Sequence, residues 1–293
     1  MTTRVLDLRR TARRATIPRL DVGEVTAADL EAARTNWRER MASEHASARV
    51  FGALVGGMMN AGLPAAETSR VANMVRQELE HAELCATVLT ALGSEPVAQV
   101  AELAPVPEHA DASPLEAILR NVISVGCCSE TVAVALVATE REQAGPRPLR
   151  RVLDQILRDE IKHSRFGWRL VDRYAPALTA KERASLGDYL VDAFAHQIRF
   201  HAPFLAMPCA SEAGVAIGRR TGAPTGSCSS RRWRRSSRQG CSAADCPRRR
   251  PGWPCAPRSG GCGGERASYS RGPLSRCARA LIRAPPPRSS RGD

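Results

Sequence analysis

"RDEIKHSRFG", residues 158–167, sets Glu160 and His163 three apart inside an apolar helical pattern. "QELEHAELC", residues 77–85, does the same with Glu78 and His81. Leu would suit a buried stripe better at these positions, because a carboxylate and an imidazole lose hydration on burial. One such pair is ordinary in a chain with 30 acids; two, on two helices, ask for a common cause.

The flanking sequence sets the lengths of those helices. "TAAD" at 26–29 resembles a capping box with Asp in place of Glu. No Pro follows until Gly62-Leu63-Pro64, so a first helix is expected over 26–60. Pro64 suits a first helical position, and a second helix runs to about Leu92, before Gly93. Three prolines make 93–112 a long connection. Ser113-Pro114 opens a third helix that lasts to about Gln143, "AGPRP" breaks it, and a fourth covers 148–174. "APALTAKE" supplies a turn and cap before a fifth helix at 180–204. No strand is expected here. Residues 1–25, Arg-rich and without helical period, read as an N-terminal arm. Such helices exceed the usual three turns. They suit a bundle whose connections run short, long, short. The expected fold class is all-α: a four-helix bundle over 26–205 that includes a fifth, C-terminal helix.

Charge and cysteine divide the chain in two. Of the 43 basic and 30 acidic residues, 18 Arg and three acids (Asp245, Glu265, Asp293) lie beyond 218, so residues 1–218 carry a net charge of −2 within a total of +13. Six of the ten cysteines lie in the same tail, and no CxxC or zinc-finger spacing occurs. Arg, Ser, Gly, Pro and Cys make up 55 of the last 75 residues, too few apolar groups to offset the entropy of ordering. Residues 206–293 therefore read as a linker followed by a disordered tail. The preceding body holds 23 Arg against Lys162 and Lys181, which suggests a GC-rich gene, and such a message read out of frame yields these five residue types. A frameshift from about 219 accounts for the composition, the unpatterned cysteines and the positive charge together. The competing reading is a basic arm that binds nucleic acid through phosphates. No apolar run of membrane-spanning length and no signal peptide is read, so no membrane partner is expected and the cytoplasm is the expected compartment. A homodimer is an allowed assembly.

Each long helix carries an apolar stripe at three-to-four spacing. The stripes read Trp37, Met41, Glu44, Ala48, Phe51, Val55; Val71, Met74, Glu78, His81, Cys85, Val88; Leu119, Ile123, Cys127, Glu130, Val134, Val137; and Leu153, Ile156, Glu160, His163, Gly167, Leu170. All four are interrupted in mid-helix, in the order Glu, Glu-x-x-His, Glu, Glu-x-x-His. Residues three apart share a helix face, with about 5–6 Å between Cβ atoms, so each Glu-x-x-His offers a cation one oxygen and one nitrogen. Four carboxylates balance two divalent ions; without metal they would repel one another and some would bind protons. His45 points about 100° away from Glu44 around its helix and reads as solvated. His196 and His201 read as surface residues. Gly126 and Gly167 each lie one turn from a candidate ligand, either opening a pocket with Ala48 and Cys127 or allowing close helix packing.

"ASEHAS", "ELEHAEL" and "DEIKHSRFGWR" resemble the motifs of the ferritin-like superfamily, whose di-iron carboxylate bundles use this ligand order. The resemblance spans about 26–205. It implies two iron ions, with manganese or a mixed pair as alternatives, held by Glu44, Glu78, His81, Glu130, Glu160 and His163. It further implies that Glu78 and Glu160 bridge, that Glu44 and Glu130 bind terminally, that each His caps one ion, and that dioxygen or peroxide is the co-substrate. Asp159 is a candidate partner of a ligand. Within the superfamily, the missing CxxC pairs argue against the electron relay of ordinary rubrerythrins, and none of the three tyrosines lies on a ligand stripe. Ile156 stands where arylamine N-oxygenases typically place a third His. An oxidase or oxygenase of unknown organic substrate is expected; iron storage as in bacterioferritin, a rubrerythrin-like peroxidase and a structural metal-binding bundle are the alternatives.

Overall fold

The computed structural model describes residues 3–12, 17–23, 25–102, 104–205 and 210–220, and these are mostly helical. The tail read as disordered or frameshifted lies, from 221 onward, outside the described residues.

The long helices begin and end where local chemistry dictates. Helix α2, Ala27–Asn60, starts with the Thr26 side chain accepting from Asp29 N at 3.1 Å. Helix α3 is Ala65–Ala91, with Pro64 one position earlier than expected, at the cap. Gly62 (φ 67°) and Gly93 (φ 71°) follow the last turns of α2 and α3 in the left-handed conformation that stops a helix. Ser113 caps α4, Pro114–Val122. The third helix is not uniform: Ile123–Ser129 is a π-helical segment, after which α5 occupies Glu130–Gln143. The hydroxyl of Ser129 donates to Ser124 O at 3.0 Å, and Gln197 Nε2 donates to that same hydroxyl at 2.9 Å. Helix α6 is Arg147–Tyr174 and α7 is Ala180–Leu205.

Two expectations are corrected at the chain's edges. The segment read as an arm opens with strand β1, Thr3–Asp7, followed by a short helix α1, Arg9–Ala12. The long connection holds strand β2, Val97–Ala101, antiparallel to β1. Leu6 and Ala98, direct cross-strand partners, are both buried, so pairing puts one apolar residue from each strand on the inner face. Neither stretch carries enough alternation to reveal itself alone. The segment read as a linker contains helix α8, Glu212–Ala216, which lies against α2. Asn36 Nδ2 donates to Gly218 O at 2.6 Å and Trp37 Nε1 to Ile217 O at 3.0 Å. Asp29 accepts from Ser211 and pairs with Arg219.

Contrary to the expectation of no such run, the stretch Pro114–Gln143 is long and apolar enough by composition to cross a membrane. Here it packs against α6 and α7, with Glu116, Arg120 and Glu130 buried along it.

Helix α2 packs along α3, and α6 along the π segment and α5; α3 also meets α6, and α2 meets α4. Of the three apolar cores among the described residues, one lies where α4 and the π segment meet α7; the other two lie between the helices just named. One includes Trp37, Met41, Cys85, Leu89, Val137, Leu153 and Ile156. The other includes Phe51, Leu54, Val71, Met74, Cys127, Phe166 and Leu170. On every stripe, the acid or acid–His pair falls between a residue of the first core and a residue of the second.

Candidate metal centre

The structure brings together all six residues singled out on the stripes. Glu44 comes from α2, Glu78 and His81 from α3, Glu130 from the first turn of α5, and Glu160 and His163 from α6. Their donor atoms form two groups in which each residue's atom lies within 4.8 Å of every other. One is Glu44, Glu78, His81 and Glu160; the other is Glu78, Glu130, Glu160 and His163. Glu78 and Glu160 belong to both groups. A buried cluster of this kind can hold a metal ion.

The imidazoles are arranged alike. His81 Nδ1 faces Glu160 Oε1 at 3.2 Å, Glu44 Oε2 at 3.7 Å and Glu78 Oε2 at 4.0 Å. His163 Nδ1 faces Glu78 Oε1 at 3.0 Å, Glu130 Oε2 at 3.5 Å and Glu160 Oε2 at 3.7 Å. The ring centroids stand 6.1 Å apart, and Phe51 meets His163 edge-on at 5.7 Å. Each Nε2 points outward. His163 Nε2 lies 3.1 Å from Gln77 Oε1, and His81 Nε2 lies 3.6 Å from Asp159 Oδ2. A proton on Nε2, as in the neutral ring with this partner, leaves the Nδ1 lone pair aimed into the cluster. Asp159 thus sits where a partner of His81 should. Gln77, its counterpart, went unnoticed in the sequence; the signal was there, since each of these residues directly precedes the Glu of its Glu-x-x-His motif.

The donor set is under-satisfied as it stands. Among the described residues, Glu78 Oε1, Glu130 Oε2, Nδ1 of both His81 and His163, and Nε2 of His81 are buried without a hydrogen-bond partner, the contacts around them being too long or misaligned. Buried polar atoms are rarely left so. Hard oxygen donors with imidazole nitrogens suit a first-row divalent ion such as iron or manganese.

Proton equilibria carry the same strain. Burial opposes charge on His81, but Glu160 and Glu44 outweigh it and push its pKa up to about 10. His163 rises to about 12, with Glu130, Glu160 and Glu78 overcoming its burial. Burial raises Glu78 to about 8; His163 pulls it down, and Glu160 and Glu44 add to the rise. Burial first, then Glu160, lifts Glu130 well above the carboxylate range. Burial also works against charge on Glu160, yet the close approach of Glu130, His163 and His81 holds it low. Protons therefore supply, in the metal-free cluster, the neutralisation that cations would otherwise give.

Other residues fall outside the cluster or take different roles. His45 is exposed, and His196 stacks with Phe200 on α7. Ala48 and Cys127 are buried on their stripes, burial raising the Cys127 thiol. Gly126 and Gly167 do not open a pocket. A Cβ on Gly167 would stand 2.4 Å from the carbonyl carbon and oxygen of Gly126, so the glycines allow backbone-to-backbone contact between α6 and the π segment. Of the two readings of these glycines, close packing holds.

Compared with known proteins, the chain matches no family model, no curated protein and no solved structure.

Proposed function

We propose that this chain is a ferritin-like four-helix protein with a di-metal carboxylate centre, and that it is an oxidase or oxygenase acting on an organic substrate not yet identified. In this reading α2, α3, the α4–π–α5 rod and α6 form the bundle. The observation that carries it is the pair of donor groups sharing Glu78 and Glu160, buried between two apolar cores. Glu44 and His81 would hold one ion, Glu130 and His163 the other, and the shared carboxylates both. When bound, two iron or manganese ions would supply the redox equivalents and Lewis acidity that reduction of dioxygen or peroxide requires.

The chain's own residues support such a site. Four carboxylates match the charge of two divalent ions. Phe51 and the flanking cores keep bulk water from the His163 side, which strengthens charge interactions there. Gln77 holds the outward edge of the His163 ring by a hydrogen bond, and Asp159 faces that of His81 as a charge at 3.6 Å.

The close Gly126–Gly167 contact favours a second reading, a structural metal bundle, because it occupies space beside His163 that a substrate would use. One experiment separates the readings. Metal-free protein is loaded anaerobically with ferrous iron, assayed for bound metal, and then exposed to oxygen or peroxide while its absorbance is followed. Two irons per chain and a rapid oxidation are expected. Two tightly held ions that do not react would favour the structural reading, and only trace metal after loading would sink both.

A further inference from the structure

The two halves of the cluster are built on one plan but not from the same groups. Gln77 precedes Glu78 and reaches His163 on α6; Asp159 precedes Glu160 and reaches His81 on α3. One imidazole therefore leans on a neutral amide and the other on a carboxylate. Gln77 Oε1 also accepts from Asn73 Nδ2 at 3.2 Å, so its lone pairs are shared between two donors. Asp159 is held from outside by Lys162 Nζ at 2.8 Å, on its other oxygen. The unshared carboxylates differ too: the side chain of Glu44 is 13% exposed and that of Glu130 6%.

From this asymmetry we propose that the two halves take up metal in sequence, the Glu44–His81 half first and tighter, with residues 159 and 77 setting the order. The proposal rests on the metal-binding reading above. A carboxylate behind an imidazole makes its far nitrogen a stronger donor and adds a negative charge near the cation; an amide oxygen orients the ring with no charge to add. At 3.6 Å Asp159 acts chiefly as a charge, and Lys162 offsets only part of it because that ammonium is largely exposed to water. Exposure favours the same half: Glu44 and Asp159 are 13% and 14% exposed, against 6% for Glu130. Gln77 and Asp159 are thus positioning residues whose chemical difference becomes a difference in affinity.

The test is a titration of the full chain, metal-free, with Mn(II), free ion being read from its electron paramagnetic resonance. Manganese is the probe because the chain's thiolates compete poorly for it. Two steps are expected, the first at least tenfold tighter. Asp159→Asn, which keeps the shape and removes the charge, should weaken the first step by about 10- to 100-fold and bring the two together. Gln77→Glu should tighten the second step and merge them from the other side. Glu44→Gln should remove the tight step and Glu130→Gln the weak one, with helicity checked by circular dichroism in every variant. Two steps of equal affinity, or unequal steps that neither Asp159→Asn nor Gln77→Glu moves, would overturn the ordering while leaving the metal reading intact. A wild-type chain that takes up no Mn(II) would overturn both.

Discussion

Two of the buried polar networks among the described residues differ in how completely they are satisfied. Arg120, between α4 and α7, donates to Glu116 Oε1 at 2.7 Å, to Asp111 Oδ2 at 2.9 Å and to Ser185 Oγ at 2.9 Å. Beside it Asn121 donates to Pro107 O at 2.8 Å and contacts His109 Nε2 at 3.2 Å, while Ser124 and Tyr189 share a hydrogen bond of 2.8 Å. No buried side-chain atom of those residues lacks a partner. The Glu–His cluster, more deeply buried, leaves four of its inward atoms without one. A finished network holds helices together and asks for nothing more; an unfinished one is stable only with protons, or an ion, supplied from outside. Unmet atoms by themselves do not mark a site, since Asp29 Oδ1, Asn36 Oδ1 and Arg40 Nε also lack partners; the Glu–His cluster differs in gathering four of them within one donor cluster.

The sharpest way to break the contrast is to remove what both donor groups share. Glu78→Ala combined with Glu160→Ala should cut metal uptake from two ions per chain to a trace, read by elemental analysis. The metal-free variant should melt no lower than metal-free wild type, because repulsion and unmet burial disappear together. Gly167→Leu should be the most damaging to the fold. A side chain there drives into the backbone of Gly126, so more than about 3 kcal/mol should be lost in a thermal or urea melt, and metal uptake should fall with it. Arg120→Met should cost about 3 kcal/mol by stranding Glu116, yet folded material should bind metal at wild-type stoichiometry. The opposite result, normal stability with lost metal, would put Arg120 in the site.

A smaller effect concerns pH. His81, His163 and Glu78 have pKa values raised to about 10, 12 and 8, so all three hold protons at neutral pH when metal is absent. Cation binding must displace those protons, so affinity should fall on acidification and rise with pH through about 8, where Glu78 loses its proton, and further toward about 10 and 12, where His81 and His163 lose theirs. Calorimetry in buffers of different ionisation enthalpy should show protons released on Mn(II) binding. The smallest effect is expected from deleting 221–293, which should leave helicity, metal content and oxygen reactivity unchanged. Cutting at 219 instead removes the Arg219–Asp29 and Arg220–Glu39 pairs and should lower the melting temperature by a few degrees.

The long helices and the six clustered residues were legible because each depends on local repetition. A buried stripe repeats over about five turns, and a carboxylate in the middle of it is conspicuous. What escaped depends on contacts distant in sequence or on one inserted residue. β1 and β2 are five residues each and pair across some 90 others, so neither announces itself. The π segment looks like ordinary helix in sequence, since its wider turn changes the phase of a stripe only slightly. Gln77 carries only a positional signal, one residue before Glu78, and a Gln on a helix face otherwise reads as solvent-facing until its partner on α6 is known. The packing role of Gly167 could not be chosen over a pocket before Gly126 was seen against it.

The docking of residues 211–218 on α2 bears on how the chain is made. Trp37 and Ile217 are 180 positions apart, and the N-terminal half of α2 has its last partner only when that segment arrives. At ribosomal rates of about 5–20 residues per second, roughly 10–40 s separate the synthesis of the two. Throughout that interval the indole of Trp37 lacks its acceptor, and the apolar face around it is incompletely covered. The nascent chain therefore carries a sticky patch near its start for most of its translation. A holding chaperone that lets go only after about residue 218 has emerged would raise the yield of folded protein.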